Sequence, residues 1–475
     1  MTTATRPPRT VRVRHWQLAP GDAASGIGEA DGAGPVALVD HRTFYPLGGF
    51  SKSLHFLLHQ GDLLFGDAVR HGGAPLRYHL RGGPAPVVVI YEPSDIKKLM
   101  LADEADAPSS VRQSPLAPIV GPESVLTSVG DRHRQQRALL LPRFHGKAVA
   151  AYQESIARAT DAGLRSWPVG TEVKLVDIAQ QITLDVIMSA VFGLPDPKDA
   201  TPAERSMRTA ILRLLGLSTT PLATATQLAN MRSERPVGVL KMVLAMVDRT
   251  VYRVLDERRA AGDHDSRDDI MALLLSARTE DGKPLSDSEI RDELMTLLLA
   301  GHETTANTVA WTFERLTRTP GVYADARDAA RAGDDGYVEA LVNESMRVRP
   351  VVPIIGRELL APFEFSGMRV EPGNNALVSI LLLHHRDDLY PQPFAFRPER
   401  FLGVRPNPYE LMPFGGGIRR CLGAPLAVAE LHTVVGEILR RVDLKTTDRP
   451  AEAPRARNVT MIPSRGGLVH ATRID

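Results

Sequence analysis

The sequence predicts a mainly α-helical protein with a small β portion, folded as a single domain. Apolar residues at helical spacing dominate nearly two hundred positions after residue 130, and no internal repeat or low-complexity linker divides the chain. With 43% hydrophobic and 24% charged residues over 475 positions, the composition is that of a globular protein large enough to bury a core. Strand-like runs are short and occur at 76–80, 87–91, 363–370 and 377–382.

The N-terminal part of the chain divides into a leader and the start of the folded domain. Residues 1–40 are rich in Gly, Ala and Asp without periodicity, so we interpret them as a loose leader and 41–475 as the domain. A helix is predicted over 53–69, and 108–130 is loop-like. The long helical region that follows is interrupted at 167–168, 195–202 and 262–267.

One helix start is marked more clearly than the others. Ser286 and Glu289 fit a capping box, in which each side chain satisfies a free amide at the helix start. Leu285 and Ile290 are spaced for a hydrophobic staple. The pattern continues to about residue 317, which exceeds the usual length of a globular helix. We therefore expect this helix to cross the whole molecule.

Charge and cysteine content exclude several classes of protein. The 57 basic and 56 acidic residues nearly cancel, so nucleic acid is not an expected partner. A single cysteine permits no intrachain disulfide and favours a reducing cytoplasm. The N-terminus leads into no apolar stretch, and no run approaches the roughly 18 residues that a spanning helix requires. We expect a cytoplasmic protein without a membrane anchor.

That single cysteine, Cys421, lies in a segment suited to ligand binding. A lone cysteine is ordinarily a small buried hydrophobe. Here three glycines at 415–417 permit close approach of the backbone to a flat ligand. Cys421 directly precedes a predicted helix over 424–441, whose N-terminal amides stabilise a thiolate, the form that binds metal. If the loop is extended, Arg419 faces the same side as Cys421.

A second unusual segment, Ala300-Gly301-His302-Glu303-Thr304-Thr305, lies on the long helix. His302-Glu303 begins like a zinc-protease signature, but Ala306 stands where the second histidine would be, which excludes that reading. A glycine allows the helix to bulge, and a threonine hydroxyl competes for the freed carbonyls. Glu303 and Thr304 then form an acid–alcohol pair able to relay protons.

The decapeptide 414–423 resembles the heme-binding signature of cytochromes P450 at all five of its fixed positions, and the resemblance extends over roughly residues 40–470. It implies that heme b is bound, with Cys421 as the axial ligand, Phe414 near the sulfur and Arg419 on a propionate. A thiolate ligand pushes electron density onto the iron and favours O–O cleavage. The residues that the resemblance assigns to the cofactor are His133, Arg137, Arg357, Phe414, Arg419, Cys421 and Gly423.

The resemblance also implies roles on either side of the heme. Glu303 and Thr304 resemble the oxygen-activation motif and would be the catalytic residues. Glu344, Arg347 and Arg400 would form a buried structural ion network on the cysteine side. An apolar substrate would lie over the opposite face. The residues expected to touch it are Ala300, Val351, Pro353 and Ile354.

The implied activity is monooxygenation, the insertion of one oxygen atom from O2 into a C–H or C=C bond of a hydrophobic small molecule. Fatty acids, terpenoids, steroids and polyketides all remain possible substrates, with hydroxylation in secondary metabolism as the expected setting. Because the chain carries no dinucleotide fingerprint, we expect electrons from a separate ferredoxin and ferredoxin reductase. We expect the protein to be a monomer.

Three basic residues, Arg132, Arg134 and Arg420, are the expected docking patch for an acidic ferredoxin.

Two alternatives to a monooxygenase remain open. A heme-thiolate peroxygenase or isomerase commonly lacks the acid–alcohol pair, so Glu303 and Thr304 argue against it. A non-enzymatic heme sensor would leave the same two residues without a role.

Overall fold

The computed structural model shows a predominantly helical molecule built around one long helix. It describes residues 75–78, 86–113, 116–194, 200–217, 236–262, 266–279 and 281–474, with six further positions at 61, 64, 65, 68, 226 and 230. The predicted leader over 1–40 and most of the predicted helix over 53–69 lie outside the described residues.

Helices dominate the chain after residue 130, as the apolar spacing predicts. In the first half of the chain they are α1 (Pro93–Leu101), α2 (Ala117–Val120), α3 (Gly130–Leu140), α4 (Lys147–Arg165), α5 (Leu175–Ala190), α6 (Pro202–Leu217) and α7 (Gly238–Ala261). In the second half they are α8 (Ile270–Ser276), α9 (Asp287–Thr317), α10 (Pro320–Ala332), α11 (Asp335–Val348), α12 (Ile380–Leu383) and α13 (Ala424–Arg441). Short 3-10 turns occur at Ser110–Gln113, Leu141–Phe144, Pro398–Phe401 and Gly417–Arg419.

The central helix is α9, which begins as the sequence predicts. The hydroxyl of Ser286 accepts from the amide of Glu289, and the Glu289 carboxylate accepts from the amide of Ser286, so the capping box is confirmed. From Ala306 to Thr317 every residue is buried, which is the pattern of a helix surrounded by protein. It packs against α5, α7, α11 and α13. A helix enclosed in this way holds its side chains at fixed positions in the interior.

The strands form small sheets beside the helices. They are β1 (Leu76–Tyr78), β2 (Val87–Ile90), β3 (Glu172–Lys174), β4 (Ile354–Glu358), β5 (Phe363–Phe365), β6 (Met368–Val370), β7 (Asn375–Ser379), β8 (Val442–Thr446), β9 (Pro454–Arg457), β10 (Thr460–Pro463) and β11 (Leu468–Ile474). One sheet has the order β1-β2-β7-β4, with β2 and β7 parallel, and another has the order β3-β11-β8. Two hairpins, β5–β6 and β9–β10, complete the described β structure.

Each predicted strand run overlaps a strand of the structure, but not every strand was predicted. The run at 363–370 is a hairpin, because Ser366 and Gly367 adopt positive φ angles of 45° and 78° and reverse the chain. The run at 377–382 leaves β7 after Ser379 and continues as α12. Strands β3, β4 and β8 to β11 were not predicted. Most are only three to five residues long, which leaves too few positions for a clear strand signal in the sequence.

Two apolar cores meet at the segment that carries Cys421. The larger core joins the helices, and Phe414 and Leu422 pack with it. The smaller core lies under the four-stranded sheet and includes Met100 and Met412. The chain therefore passes from one core to the other at the glycine-rich segment. Among the helices of the described ranges, none combines the length and hydropathy needed to cross a bilayer.

Candidate functional site

Cys421 stands between the 3-10 turn Gly417–Arg419 and the first turn of α13. Its amide donates to the carbonyl of Phe414 at 2.9 Å, which closes the segment into a loop. The backbone amides of Gly423 and Ala424, at the start of α13, act on the sulfur in the direction that favours the thiolate. The residue is exposed. The expectation of an extended loop was wrong, because the residues before Cys421 are helical, so alternation along a strand does not explain where Arg419 points.

Two of the three glycines lie close to other parts of the protein itself. Gly417 has a φ of 64°, and a Cβ there would overlap the backbone carbonyl of Met100. A Cβ on Gly416 would lie 3.0 Å from the Cε of Met412. These glycines therefore allow close contact of the loop with the end of α1 and with the preceding turn. The glycines let the loop that bears Cys421 fit against the smaller core.

Opposing effects act on the thiol of Cys421. Although one side of the residue is open, enough protein surrounds the sulfur that desolvation raises its pKa. The amide of Gly423 and the guanidinium of Arg137 act in the opposite direction and favour the thiolate. A metal cation at the sulfur adds a positive charge to these, and a coordinated thiol is deprotonated.

Four basic side chains converge beside this loop. His133, on α3, is buried, and its pKa is lowered to about 3 by desolvation and then by Arg419, Arg137 and Arg357. Its Nδ1 atom is buried and makes no hydrogen bond to any residue that the structure describes. Cations that converge on a buried neutral imidazole repel one another unless an anion lies among them. The cluster therefore has the chemistry of a carboxylate-binding site.

Two of these arginines come from distant parts of the chain. Arg357, on β4, is 6% exposed, and burial lowers its pKa although Glu104 acts in the opposite direction. The guanidinium of Arg419 donates to the carbonyls of Val125 and Leu126 at 3.4 and 3.2 Å, so the head group of this side chain is tied to the segment before α3. The fold thus brings strand, loop and helix residues to one place.

On α9, Thr304 and Ala300 share one face of the helix. The hydroxyl of Thr304 donates to the carbonyl of Ala300 at 2.6 Å, and Ala300 is exposed. The bulge that we expected at Gly301 is replaced by regular α-helix. Glycine is needed at position 301 for a different reason, because a Cβ there would lie 2.6 Å from the Cδ1 of Ile187 on α5. It permits the close crossing of the two helices.

The carboxyl group of Glu303 points to partners that the sequence did not reveal. Its Oε1 accepts from the hydroxyl of Thr460 at 3.2 Å and lies 3.3 Å from the Nε of Arg457. Burial raises the pKa of Glu303, whereas Arg457 and Thr460 lower it. The neighbouring His302 is buried with its Nδ1 3.0 Å from the hydroxyl of Thr183, and burial lowers its pKa to about 4. No local signal marks Arg457 or Thr460.

Comparison with known proteins identifies the family. The family model for cytochrome P450 matches residues 77–469. The chain is 37% identical over 412 residues to putative cytochrome P450 135B1 of Mycobacterium tuberculosis, covering 85% of this chain and 86% of that protein. The chain belongs to the cytochrome P450 family. It is also 36% identical over 409 residues to putative cytochrome P450 137 of the same organism, covering 83% of this chain and 84% of that one.

A solved structure agrees on the fold. Retinoic acid-bound CYP120A1 from a cyanobacterium superposes with a TM-score of 0.71 at 22% identity, covering 89% of this chain and 96% of that one. The predicted fold class, mainly α with a small β portion and the cytochrome P450 fold, is therefore confirmed. Members of the family bind heme b, use O2 and draw electrons from a redox partner, so this P450 is an oxidoreductase of the monooxygenase type.

The residues present fit this cofactor. Heme b carries iron and two propionate groups. The exposed residue Cys421, whose thiolate is favoured by two backbone amides, matches the iron. The basic cluster, in which the buried Nδ1 of His133 bonds to no described residue, matches the propionates. In this P450, Arg137 lies near enough to Cys421 to interact with its charge.

The predicted ion network is assembled in the structure. The guanidinium of Arg347 binds Glu344 through two contacts of 2.7 and 2.8 Å, and both side chains are fully buried. Arg400 reaches the same carboxylate at 3.4 Å, and the amide of Arg397 donates to it at 2.8 Å. Arg347 also donates to the carbonyl of His384 at 2.7 Å. The network joins α11 to the chain that leads toward the cysteine loop.

The four residues predicted to touch substrate differ in accessibility. Ala300 is exposed and Ile354 is half-buried. Val351 and Pro353 are buried, and their carbonyls accept from the amides of Met461 at 2.7 Å and Leu381 at 3.2 Å respectively. Their backbone therefore links β4 to the β9–β10 hairpin and to α12. The side chains of Ala300 and Ile354 have the accessible surface that contact with a ligand requires.

Proposed function

We propose that this P450 inserts one oxygen atom from O2 into a C–H or C=C bond of a hydrophobic small molecule, with electrons from a separate ferredoxin and ferredoxin reductase. The observation that carries the proposal is the pair of sites described above. Cys421 stands at the start of α13, where two backbone amides favour its thiolate, and Glu303 and Thr304 are adjacent on α9. A thiolate ligand favours O–O cleavage, and a proton donor assists it by general acid catalysis.

Heme bound at Cys421 supplies the oxidising chemistry, and the protein determines how the heme is held. The amides of Gly423 and Ala424 stabilise negative charge on the sulfur. Arg357 and Arg419 would pair with the propionates, and the buried Nδ1 of His133 offers a further hydrogen bond. Phe414 packs at the edge of the helical core and fixes the loop through its carbonyl.

Proton delivery is assigned to Glu303 and Thr304. Because burial raises the pKa of Glu303, its carboxyl holds a proton closer to neutral pH than an exposed glutamate does. The Oγ1 atom of Thr304 already donates to the carbonyl of Ala300, so it keeps lone pairs with which to accept from Glu303. The proton would pass from the carboxyl to this oxygen, and the hydroxyl proton would move on into the pocket.

The substrate class is assigned from the exposed and half-buried apolar side chains. Ala300 and Ile354 are apolar, which suits a hydrophobic ligand such as a fatty acid, terpenoid, steroid or polyketide. The retinoic acid in the cyanobacterial structure is an apolar ligand of that protein, and it supports the class only by analogy. A spectral-shift screen across these four classes tests the assignment, because a substrate that displaces the iron-bound water changes the heme absorption.

The electron donor is proposed to dock at Arg420. Of the three arginines predicted for this patch, Arg132 is paired with Glu123 and Glu289, and Arg134 is paired with Asp131. Their charges are therefore largely balanced, whereas Arg420 is exposed beside Cys421. Arg420→Glu should slow reduction by an acidic ferredoxin, most strongly at low salt. Arg134→Glu is the matched control and should have a smaller effect.

Two measurements test the activity. The reduced, carbon monoxide-bound protein should show the red-shifted Soret band of thiolate ligation, and Cys421→Ser should lose it. With ferredoxin, reductase and 18O2, one labelled atom should enter the product. Turnover with peroxide alone at an equal rate would instead favour the peroxygenase or isomerase alternative, and binding of gas without turnover would favour a sensor.

A further inference from the structure

The turn of the C-terminal hairpin is held firmly against α9. Strands β9 and β10 pair with Arg457 opposite Thr460, and Asn458 between them has a φ of 52°. The Thr460 hydroxyl lies 2.8 Å from the carbonyl of Arg457 and closes the turn. The indole of Trp311 donates to the carbonyl of Met461 at 3.0 Å. The hairpin is thus anchored to the central helix beside the residues of the proton-delivery pair.

At this turn the Oε1 of Glu303 meets two side chains. It lies 3.3 Å from the Nε of Arg457 and 3.2 Å from the hydroxyl of Thr460. The side chains of Arg457 and Glu303 are 17% and 18% exposed, so the pair is close to solvent without being fully solvated. Thr460 has one hydroxyl hydrogen and two acceptors, Glu303 and the carbonyl of Arg457. Its bond to Glu303 can therefore break without leaving the hydroxyl unsatisfied.

The charges around Glu303 come from few groups. In the described part of the chain, burial raises its pKa and Arg457 is the charged group that opposes this effect. His302 is next to it in sequence but is buried against Thr183 and neutral near physiological pH, since its pKa is about 4. The charge state of Glu303 therefore depends on Arg457.

The ion pair is not needed to attach the hairpin. Trp311 and the carbonyl of Val351 already bind Met461 at 3.0 and 2.7 Å. A largely buried ion pair contributes little net stability, because desolvation offsets most of the attraction. At this position Arg457 faces the acidic member of the proton-delivery pair, so its charge acts directly on that carboxyl group.

We propose that Arg457 and Thr460 are positioning residues for proton delivery, which hold the Glu303 carboxyl at the hairpin turn until it takes a proton from solvent. Protonation removes the charge that binds Arg457, so the carboxyl is released and can turn toward the Oγ1 of Thr304. One proton enters at Glu303 and one leaves through the Thr304 hydroxyl, and no group is oxidised or reduced. This inference rests on the proposed roles of Glu303 and Thr304.

Arg457→Met tests the inference in the heme-loaded protein, with Arg455→Met as the control because Arg455 is exposed on the same strand. Loss of the cation should raise the pKa of Glu303, because Arg457 is the charge that lowers it. Infrared difference spectra should show its protonated carboxyl band persisting to higher pH, with Glu303→Gln identifying the band. The alkaline limit of coupled turnover should move in the same direction. Arg457→Lys should restore most of the original behaviour.

The outcomes separate this inference from the proposed function. If Arg457→Met leaves the infrared titration and the alkaline limit unchanged while Thr304→Ala still diverts electrons to peroxide, the positioning role is wrong and the activity stands. If Arg457→Met weakens substrate binding without moving the alkaline limit, Arg457 is a substrate-binding residue and the inference also fails. If Arg457→Met loses heme, Thr460→Val is used as the test instead. Thr460→Val should shift the titration of Glu303 to higher pH by a smaller amount.

Discussion

The backbone amide of Met412 donates a hydrogen bond to Nε2 of His384 at 2.9 Å. The other ring nitrogen of His384, Nδ1, lies 3.2 Å from the carbonyl of Arg347, and the histidine's own carbonyl accepts from the Arg347 guanidinium. The carbonyl of Met412 in turn accepts from the amide of Gly415 at 3.0 Å. A single neutral imidazole therefore connects the buried ion network to the turn that begins the cysteine loop.

Replacement of His384 by leucine should destabilise the protein by about 1–3 kcal/mol, because it leaves the buried amide of Met412 without an acceptor. His384→Gln keeps an acceptor and should cost less. Urea unfolding of the heme-loaded variants, followed by the Soret band, measures the difference. Equal losses in the two variants would show that the ring fills space and that its hydrogen bond is unimportant.

The same histidine should make stability depend on pH. Burial lowers the pKa of His384 to about 3, whereas an unfolded histidine titrates near 6.5. Below about pH 6.5 this histidine is protonated in the unfolded chain but stays neutral in the folded protein. The free energy of unfolding therefore decreases as pH falls toward 3, by up to about 1.4 kcal/mol per pH unit. The plot of unfolding free energy against pH should be less steep for His384→Gln than for the wild type by that amount. Parallel curves would mean that His384 is not the titrating group.

Glu344→Gln should destabilise the protein by roughly 3–5 kcal/mol, because it leaves the fully buried guanidinium of Arg347 without its counter-charge. Glu339→Gln is the matched control, since Glu339 is exposed on the same helix. Thermal unfolding and heme retention are the measurements. A loss no larger than that of the control would contradict a structural role for the network.

Gly417→Ala should prevent the cysteine loop from closing. Gly417 and Gly403 have nearly equal φ angles, 64° and 65°, but a Cβ on Gly403 meets nothing within 4 Å. Gly403→Ala therefore reports the cost of the backbone conformation alone, about 1–2 kcal/mol. The substitution at Gly417 adds a clash with the Met100 carbonyl and should also reduce heme content. Similar heme content in the two variants would contradict this.

Thr304→Ala should retain heme and substrate binding while it diverts electrons from product to peroxide. General acid–base groups typically contribute 10²–10⁴-fold to rate, so the fall in coupled turnover should be large. Thr304→Ser keeps the hydroxyl and should preserve most of the coupling. Product and peroxide formed per electron pair are measured together. Intact coupling in Thr304→Ala would remove this residue from proton delivery.

Much of the fold was predictable because its signals are local. The capping box at Ser286 and Glu289 involves residues three apart, and both hydrogen bonds form as predicted. The short strands were harder to predict, because β3 pairs with β11 across nearly three hundred residues and β3 is only three residues long. The prediction of a helix bulge at Gly301 was wrong for a similar reason. The residue that requires the glycine, Ile187, lies on another helix.

By itself the sequence determined the family, the cysteine that we propose as the iron ligand and the start of the central helix, because each depends on residues close together in the chain. Only the tertiary structure decided what those residues meet. Glu303 finds Thr460 at a separation of 157 residues, and Cys421 lies in a loop whose glycines are required by Met100 on α1. Contacts of this kind leave no periodic or local pattern, since they depend on how helices and hairpins pack. The physical setting of the site was therefore visible only in the folded molecule.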